Sequence, residues 1–347
     1  METCKNLIET LTKQAILVTG ATGMLGQNVI STLLKMNDDF STEIQVVAHA
    51  RNFDKANKLF AKHMNRSDFE LTICDITEIS LTNKVDYIIH TAGVTGGSKQ
   101  HVDFPVRTIT TALEGTKKVL DLAVEKDCKG VVYLSSLEVY GNTGMNKKEI
   151  YEKEGGYIDP LNVRSSYSES KRMCECMCVS YMKQYGIPVY IARLTATFGF
   201  GVDYFDNRVF AQFARSVIEK KDIVLKSTGE TVRNYCDAED AARAFLMILA
   251  NGIPGEAYNI ANMNTEISIK NLAIKLIELY PDSGIKLKFE LNSDVQKLGY
   301  NTTMRNVLNS EKLMDIGWRP IYNLDDMLRR LIKFMKDNKE ESEAMNK

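Results

Sequence analysis

Apolar residues along the chain fall into short β-branched runs, separated by longer stretches in which they recur every three or four positions. The first run, residues 15–18, reads Ala-Ile-Leu-Val and leads into the glycine-rich segment VTGATGMLGQ. A short apolar run ending in glycine predicts a buried strand entering a tight turn. Leu25, Val29, Ile30, Leu33 and Leu34 then repeat at helical spacing, so a helix follows the turn. Further runs at 44–48, 69–73, 85–90, 130–134 and 189–193 predict five more strands. Helical patterns lie between successive strands, among them 109–124 and 167–185, the latter stopped by Gly186-Ile187-Pro188. Such alternation predicts an α/β fold, a doubly wound parallel sheet covered on both faces. Ligands in such sheets bind beyond the carboxyl ends of the strands.

The last third reads differently. Pro188, Pro254, Pro281 and Pro320 punctuate shorter elements, and helical patterns at 268–280 and 324–338 dominate. A smaller mixed α/β domain is expected there, with the chain crossing back at least once. Residues 336–347 form a charged tail expected to fray.

Gly20, Gly23 and Gly26 occupy the first strand-to-helix junction. Without Cβ atoms the backbone amides can approach a ligand closely, and a helix N-terminus carries partial positive charge suited to a pyrophosphate. This predicts a dinucleotide site of the Rossmann type built by Gly20, Thr22, Gly23, Met24, Leu25 and Gly26. The divisions expected are an N-terminal extension (1–14), a Rossmann domain (15–198), a mainly substrate-binding domain (199–335) and the tail. At the tip of the second strand a carboxylate would accept from a free ribose 2′-hydroxyl, whereas an arginine suits a 2′-phosphate. The chain has Ala50 at the expected acid position, followed by Arg51 and Asn52, which favours NADP over NAD. Asp54 is the nearby acid that would serve NAD instead. Asp75 and Ile76, ending the third strand, are expected at the adenine, and Thr91, Ala92 and Gly93, after the fourth, along the cofactor.

Net charge narrows the partners. A formal charge of −1 over 347 residues gives no electrostatic case for nucleic acid or an anionic membrane surface. No apolar stretch approaches the roughly 20 residues of a spanning helix, and the start lacks a signal pattern, so a cytoplasmic protein is expected. Seven cysteines, an odd number, suggest no disulfide framework. Cys174, Cys176 and Cys178 cannot aim three sulfurs at one ion from a helix, because i and i+2 face different ways; no metal is expected.

The fifth strand runs into Ser135-Ser136-Leu137-Glu138, and a later helix carries Tyr167 and Lys171. Residues at i and i+4 share a helix face. A free phenol titrates near 10, so work as a base near neutrality needs help from an adjacent ammonium. Lys171 would supply that help and hold the nicotinamide ribose. Ser136 would bridge to the substrate oxygen that loses its proton.

With these motifs in chain order, the sequence resembles the extended short-chain dehydrogenase/reductase family, in its nucleotide-sugar epimerase, dehydratase and decarboxylase branch. Besides the glycines, the resemblance is carried by His90-Thr91-Ala92-Gly93, by 135–141 (SSLEVYG) and by Tyr167 with Lys171. Later segments carry it too: 229–235 (GETVRNY), 255–260 (GEAYNI) and 313–320 (LMDIGWRP). It spans about residues 15 to 335. The family implies transient oxidation at C4 of a nucleotide sugar, with Tyr167 taking the hydroxyl proton. The 4-keto sugar is then epimerised, dehydrated or decarboxylated. Glu138, which follows Leu137 where common glucose dehydratases have an aspartate, implies chemistry at C5 or C6 and so a dehydratase or decarboxylase. A 4-epimerase, an NADPH-consuming ketoreductase and a non-catalytic NADP-binding redox sensor are the alternatives. Substrate-binding positions implied are Val94, Thr95, Ser136, Arg164, Thr195, Arg208 and Arg233, the arginines for a diphosphate. Two asparagines usual in the family are replaced, by Ala112 and Ala196. A homodimer pairing through sheet-flanking helices is expected by analogy.

Overall fold

The computed structural model describes residues 2–93, 98–144, 146–291 and 303–345. Strands β1 (Ala15–Thr19), β2 (Gln45–Ala50), β3 (Phe69–Ile73), β4 (Tyr87–His90), β5 (Gly130–Ser136) and β6 (Val189–Leu194) are the six that the apolar runs predict. They are followed by β7 (Ala196–Phe198), β8 (Ile223–Leu225), β9 (Val232–Asp237) and β10 (Ala257–Ile260). A seven-stranded sheet has the order β10-β6-β5-β4-β1-β2-β3, parallel at each pairing. The order reverses between β1 and β4, and that reversal opens a crevice at the carboxyl edge.

The helices are α1 (Glu2–Leu11), α2 (Met24–Phe40), α3 (Phe53–Phe60), α4 (Ser98–Asp103), α5 (Pro105–Glu125), α6 (Ser165–Tyr185), α7 (Val209–Glu219) and α8 (Ala238–Asn251), of which α2 and α8 cover one face of this sheet and α5 and α6 the other. Ile16, Val18, Ile89 and Val132 pack with Val29, Ile30 and Leu33 of α2 and Phe245 of α8. Leu17, Ile88, Val131 and Tyr133 face the other way, against Val119 and Leu120 of α5 and Cys174 and Cys178 of α6. Burial on both faces explains why these strands read as continuous apolar runs instead of alternating ones. Cys176, two residues from each buried cysteine, is exposed.

Beyond β10 come β11 (Asn262–Ser268), α9 (Ile269–Leu279), β12 (Leu287–Phe289), β13 (Arg305–Asn306), α10 (Glu311–Asp315), α11 (Leu324–Asp337) and α12 (Lys339–Met345). β9 pairs antiparallel with β11 and parallel with β7 and β13, and β12 pairs with β8. A separate core forms here from Phe198, Phe210, Tyr235, Leu272 and Leu328.

The structure departs from the sequence reading at several ends. α5 begins at Pro105, earlier than the apolar periodicity, because proline is pre-organised for a first turn and leaves no wasted N–H. Residues preceding β1 form α1, whose fully buried Leu11 joins the main core with Leu7, Ile8 and Trp318. Within the charged tail α12 holds Ser342 buried, and Lys339 Nζ lies 5.5 Å from the centre of the Tyr204 ring.

Candidate active site

The glycine turn is built for close backbone approach. Gly20 has φ +67°, and a Cβ there would lie 2.7 Å from Ala92 Cα. A Cβ on Gly26 would lie 2.4 Å from the Gly20 carbonyl oxygen. Gly23, with extended backbone, caps α2 without any side-chain hydrogen bond. The first-turn amides at Met24, Leu25 and Gly26 therefore have no intrahelical acceptor and no capping side chain. Thr22 sits within the turn and its carbonyl accepts from Gln27 Nε2 at 3.1 Å. Thr91 donates to the Thr19 carbonyl at 2.6 Å, and Ala92 N–H donates to Thr19 Oγ1 at 3.2 Å, tying the end of β4 to the turn. A Cβ on Gly93 would stand 3.9 Å from Lys171 Nζ. This uncapped cradle at a helix N-terminus fits a dinucleotide pyrophosphate.

At the far end, exposed Arg51 follows β2, and Asn52 Oδ1 caps α3 by accepting from Lys55 N–H at 2.9 Å. Asp75 accepts from the Thr77 N–H (3.0 Å) and hydroxyl (2.8 Å). Those two bonds hold its carboxyl below the usual range, with a smaller contribution from Arg51. Ile76 is buried and packs against Gly115 of α5.

Ser136, Tyr167 and Lys171 converge where β5 ends beside α6. Ser136 Oγ accepts from the Glu138 N–H at 3.2 Å, capping the short 3-10 turn Leu137–Tyr140. Lys171 is buried; its Nζ donates to the Leu134 carbonyl at 2.7 Å and lies 6.0 Å from the Tyr167 ring centre. Ala92, Gly93, Thr108, Ala112, Thr116, Tyr133, Tyr167 and Lys171 line one pocket. Burial lowers the Lys171 pKa. The expected acidification of Tyr167 by its lysine is corrected here. Burial first, and then the Glu138 carboxylate, push the phenol up to about 12, against the Ser136 hydrogen bond and two arginines that pull it down. The ammonium spends a hydrogen bond on Leu134, and the protein's own groups keep the phenol protonated near neutrality.

Glu138 is not isolated. Arg164 Nη2 lies 2.5 Å from its Oε1, and the Ser168 hydroxyl donates to Oε2 at 3.0 Å. Arg164 and Arg208 are the cations that act on Tyr167, while Arg208 itself is held by Asp206, with Nη2 2.5 Å from Oδ2. Arg233, on β9, keeps a buried Nε without a partner among the described residues. Thr195 is buried, and its hydroxyl donates to the Asn234 carbonyl at 2.7 Å, so that side chain is turned into the protein. Ala196 opens β7. Val94 and Thr95 lie outside the described residues. The structure adds two side chains that sequence reasoning missed: Ser168 on Glu138, and His101, whose ring stacks on Tyr167 at 4.4 Å between centres. Neither belongs to a spaced motif, so only the tertiary arrangement reveals them.

A family model described as the NAD dependent epimerase/dehydratase family matches residues 16–261. The chain is 28% identical over 333 residues to dTDP-D-glucose 4,6-dehydratase from Bos taurus, covering 93% of this chain and 89% of that protein. It is also 28% identical over 327 residues to UDP-glucuronic acid decarboxylase 1 from Xenopus tropicalis, covering 93% of this chain and 72% of that one. Among solved structures, a dTDP-glucose 4,6-dehydratase from Bacillus anthracis in complex with NAD superposes with a TM-score of 0.77 at 20% identity, covering 94% of this chain and 98% of that one. Among the described residues, no helix is long and apolar enough to cross a membrane.

Proposed function

Because the chain belongs to the NAD-dependent epimerase/dehydratase family, we propose that it removes water or carbon dioxide from a nucleotide-linked sugar through a transient 4-keto sugar. The observation that carries this reading is that Tyr167 and Lys171 line one pocket, with the Ser136 hydroxyl hydrogen-bonded to Tyr167 and Glu138 adjoining it electrostatically. The relatives named as a dehydratase and a decarboxylase support it.

Tyr167 takes the proton of the sugar hydroxyl, oriented by the Ser136 hydroxyl. The Ser136 hydrogen bond and the charges of Arg164 and Arg208 favour its phenolate form, and Lys171 would hold the nicotinamide ribose. The nicotinamide, when bound, supplies the hydride acceptor and donor. Gly20 to Gly26 would hold its pyrophosphate, and Thr91 to Gly93 would lie along it. Glu138 moves the second proton at C5 or C6, its carboxylate aimed by Arg164 and Ser168. Arg233, with its unpartnered buried Nε, and Arg208 bind the substrate diphosphate through charge-assisted hydrogen bonds. Arg51 favours NADP over NAD, since Ala50 leaves no carboxylate at the end of β2 for a free 2′-hydroxyl. A homodimer through α5 and α6 is part of the reading, supported by exposed Val106, Ile109 and Met173 on those helices.

The NADPH-consuming ketoreductase is the second reading, favoured by Arg51 alone. Purified protein incubated with a panel of nucleotide sugars separates the two. The proposal expects loss of water or carbon dioxide from one sugar with no net change in reduced-nicotinamide absorbance. Stoichiometric consumption of NADPH with a gain of hydrogen would install the ketoreductase instead.

A further inference from the structure

His101 lies on α4, remote in sequence from the Tyr167 and Lys171 helix, yet its ring is nearly parallel to the Tyr167 ring. The centres are 4.4 Å apart and the planes 22° from each other. Two hydrogen bonds hold it there. Its backbone carbonyl accepts from the hydroxyl of Ser166, the residue before Tyr167, at 3.2 Å. Its Nδ1 meets Thr108 Oγ1 at 3.2 Å. Thr108 already donates its own proton to the Phe104 carbonyl at 3.1 Å, so Nδ1 must be the donor in that pair. On that assignment Nδ1 carries a proton. Arg164, Glu138 and Lys171 are the charged groups that act on it.

We propose that His101 is a positioning residue for Tyr167, a ring held by α4 and α5 that fixes the plane of the phenol on α6. This rests on the assignment of Tyr167 as the proton acceptor above. The logic is steric. A phenol on one helix can turn about its side-chain torsions, and proton transfer works only within a narrow geometry. A misplacement of about 1 Å costs on the order of a hundredfold in rate. A flat partner anchored to two other elements removes that freedom without touching substrate.

The test compares His101→Ala with His101→Phe, which restores a flat ring but not the bond to Thr108. The proposal expects kcat to fall about tenfold or more in the alanine variant, with KM for the sugar little changed, and to recover largely in the phenylalanine variant. A substrate-free readout accompanies it: fluorotyrosine placed at position 167 and observed by fluorine NMR in the cofactor-loaded protein. Its resonance should move in the alanine variant as the stacked ring is lost, and return toward the native position in the phenylalanine variant. A wild-type kcat in the alanine variant, an unmoved fluorine resonance, or a phenylalanine variant as slow as alanine overturns the proposal. The fluorine signal needs no turnover. A chain that modified no nucleotide sugar would therefore sink the functional reading while leaving the stack still measurable.

Discussion

The pocket side chains gain their properties from neighbours more than from their own chemistry. Tyr167 is pushed up to about 12 by burial and by Glu138, against the Ser136 hydrogen bond and two arginines. Removing its hydroxyl in Tyr167→Phe should lower turnover by about a hundredfold or more while cofactor binding persists, measured as kcat and as cofactor retained through gel filtration. Turnover within twofold of wild type would end its assignment as the acid–base residue. Glu138 is held by Arg164 and Ser168, so Glu138→Gln keeps the size but loses charge and proton capacity. We expect the variant to accumulate a 4-keto sugar and stall before the second step; an unchanged product profile would make the pair purely structural. Tyr167 and Lys171 were legible in the sequence because i and i+4 spacing on a helix is local information. Glu138 as a neighbouring carboxylate was legible too, since it follows Ser136 by two residues. His101 was not, because its contact depends on three helices meeting.

At the scale of elements, the β1–α2 junction makes the most exacting demand. Gly26→Ala would drive its Cβ to 2.4 Å from the Gly20 carbonyl oxygen, a contact that backbone must move to relieve. Cofactor affinity should fall at least about tenfold in that variant, checked by titration calorimetry, because the shifted amides no longer converge on the pyrophosphate. Arg51→Ala tests the other end: it should weaken NADP more than NAD, and equal losses would remove the preference. The glycine spacing could be read directly, since three positions in one turn announce their geometry. β7, β8, β12 and β13 could not, because strands of two or three residues carry no alternation to detect. β9 shows why β7 and β13 nevertheless form, since both pair along it, while β8 and β12 complete each other as a separate two-stranded sheet.

For the whole molecule, the seven-stranded sheet and its two helical layers follow from runs that are apolar on both faces. That β10, arriving after the excursion through β7, β8, β9 and α8, closes the sheet beside β6 was visible only as a hint that the chain returns. Two buried histidines near the site give the fold an acid sensitivity. His90 is depressed to about 3 and His101 to about 4, both mainly by burial. A histidine whose folded pKa is depressed stabilises nothing at low pH. The unfolded chain takes up the proton first, near 6.5, so stability present above that value is lost as pH falls toward 4. Between about pH 7 and pH 5 each histidine should cost the fold about 2 kcal/mol, read from urea denaturation at a series of pH values. His101→Phe should remove one such contribution, and a curve as steep as wild type would contradict it.

The central claim is that a phenol on α6, beside a buried ammonium, drives sugar chemistry in which the nicotinamide is regenerated. Mass spectrometry of nucleotide sugars incubated with the wild-type and Tyr167→Phe proteins, with nicotinamide absorbance followed in the same tube, tests it most directly. The account predicts loss of water or carbon dioxide from one sugar in the wild type alone, with absorbance flat at the end. The same product formed by both proteins, or nicotinamide consumed mole for mole, would contradict it.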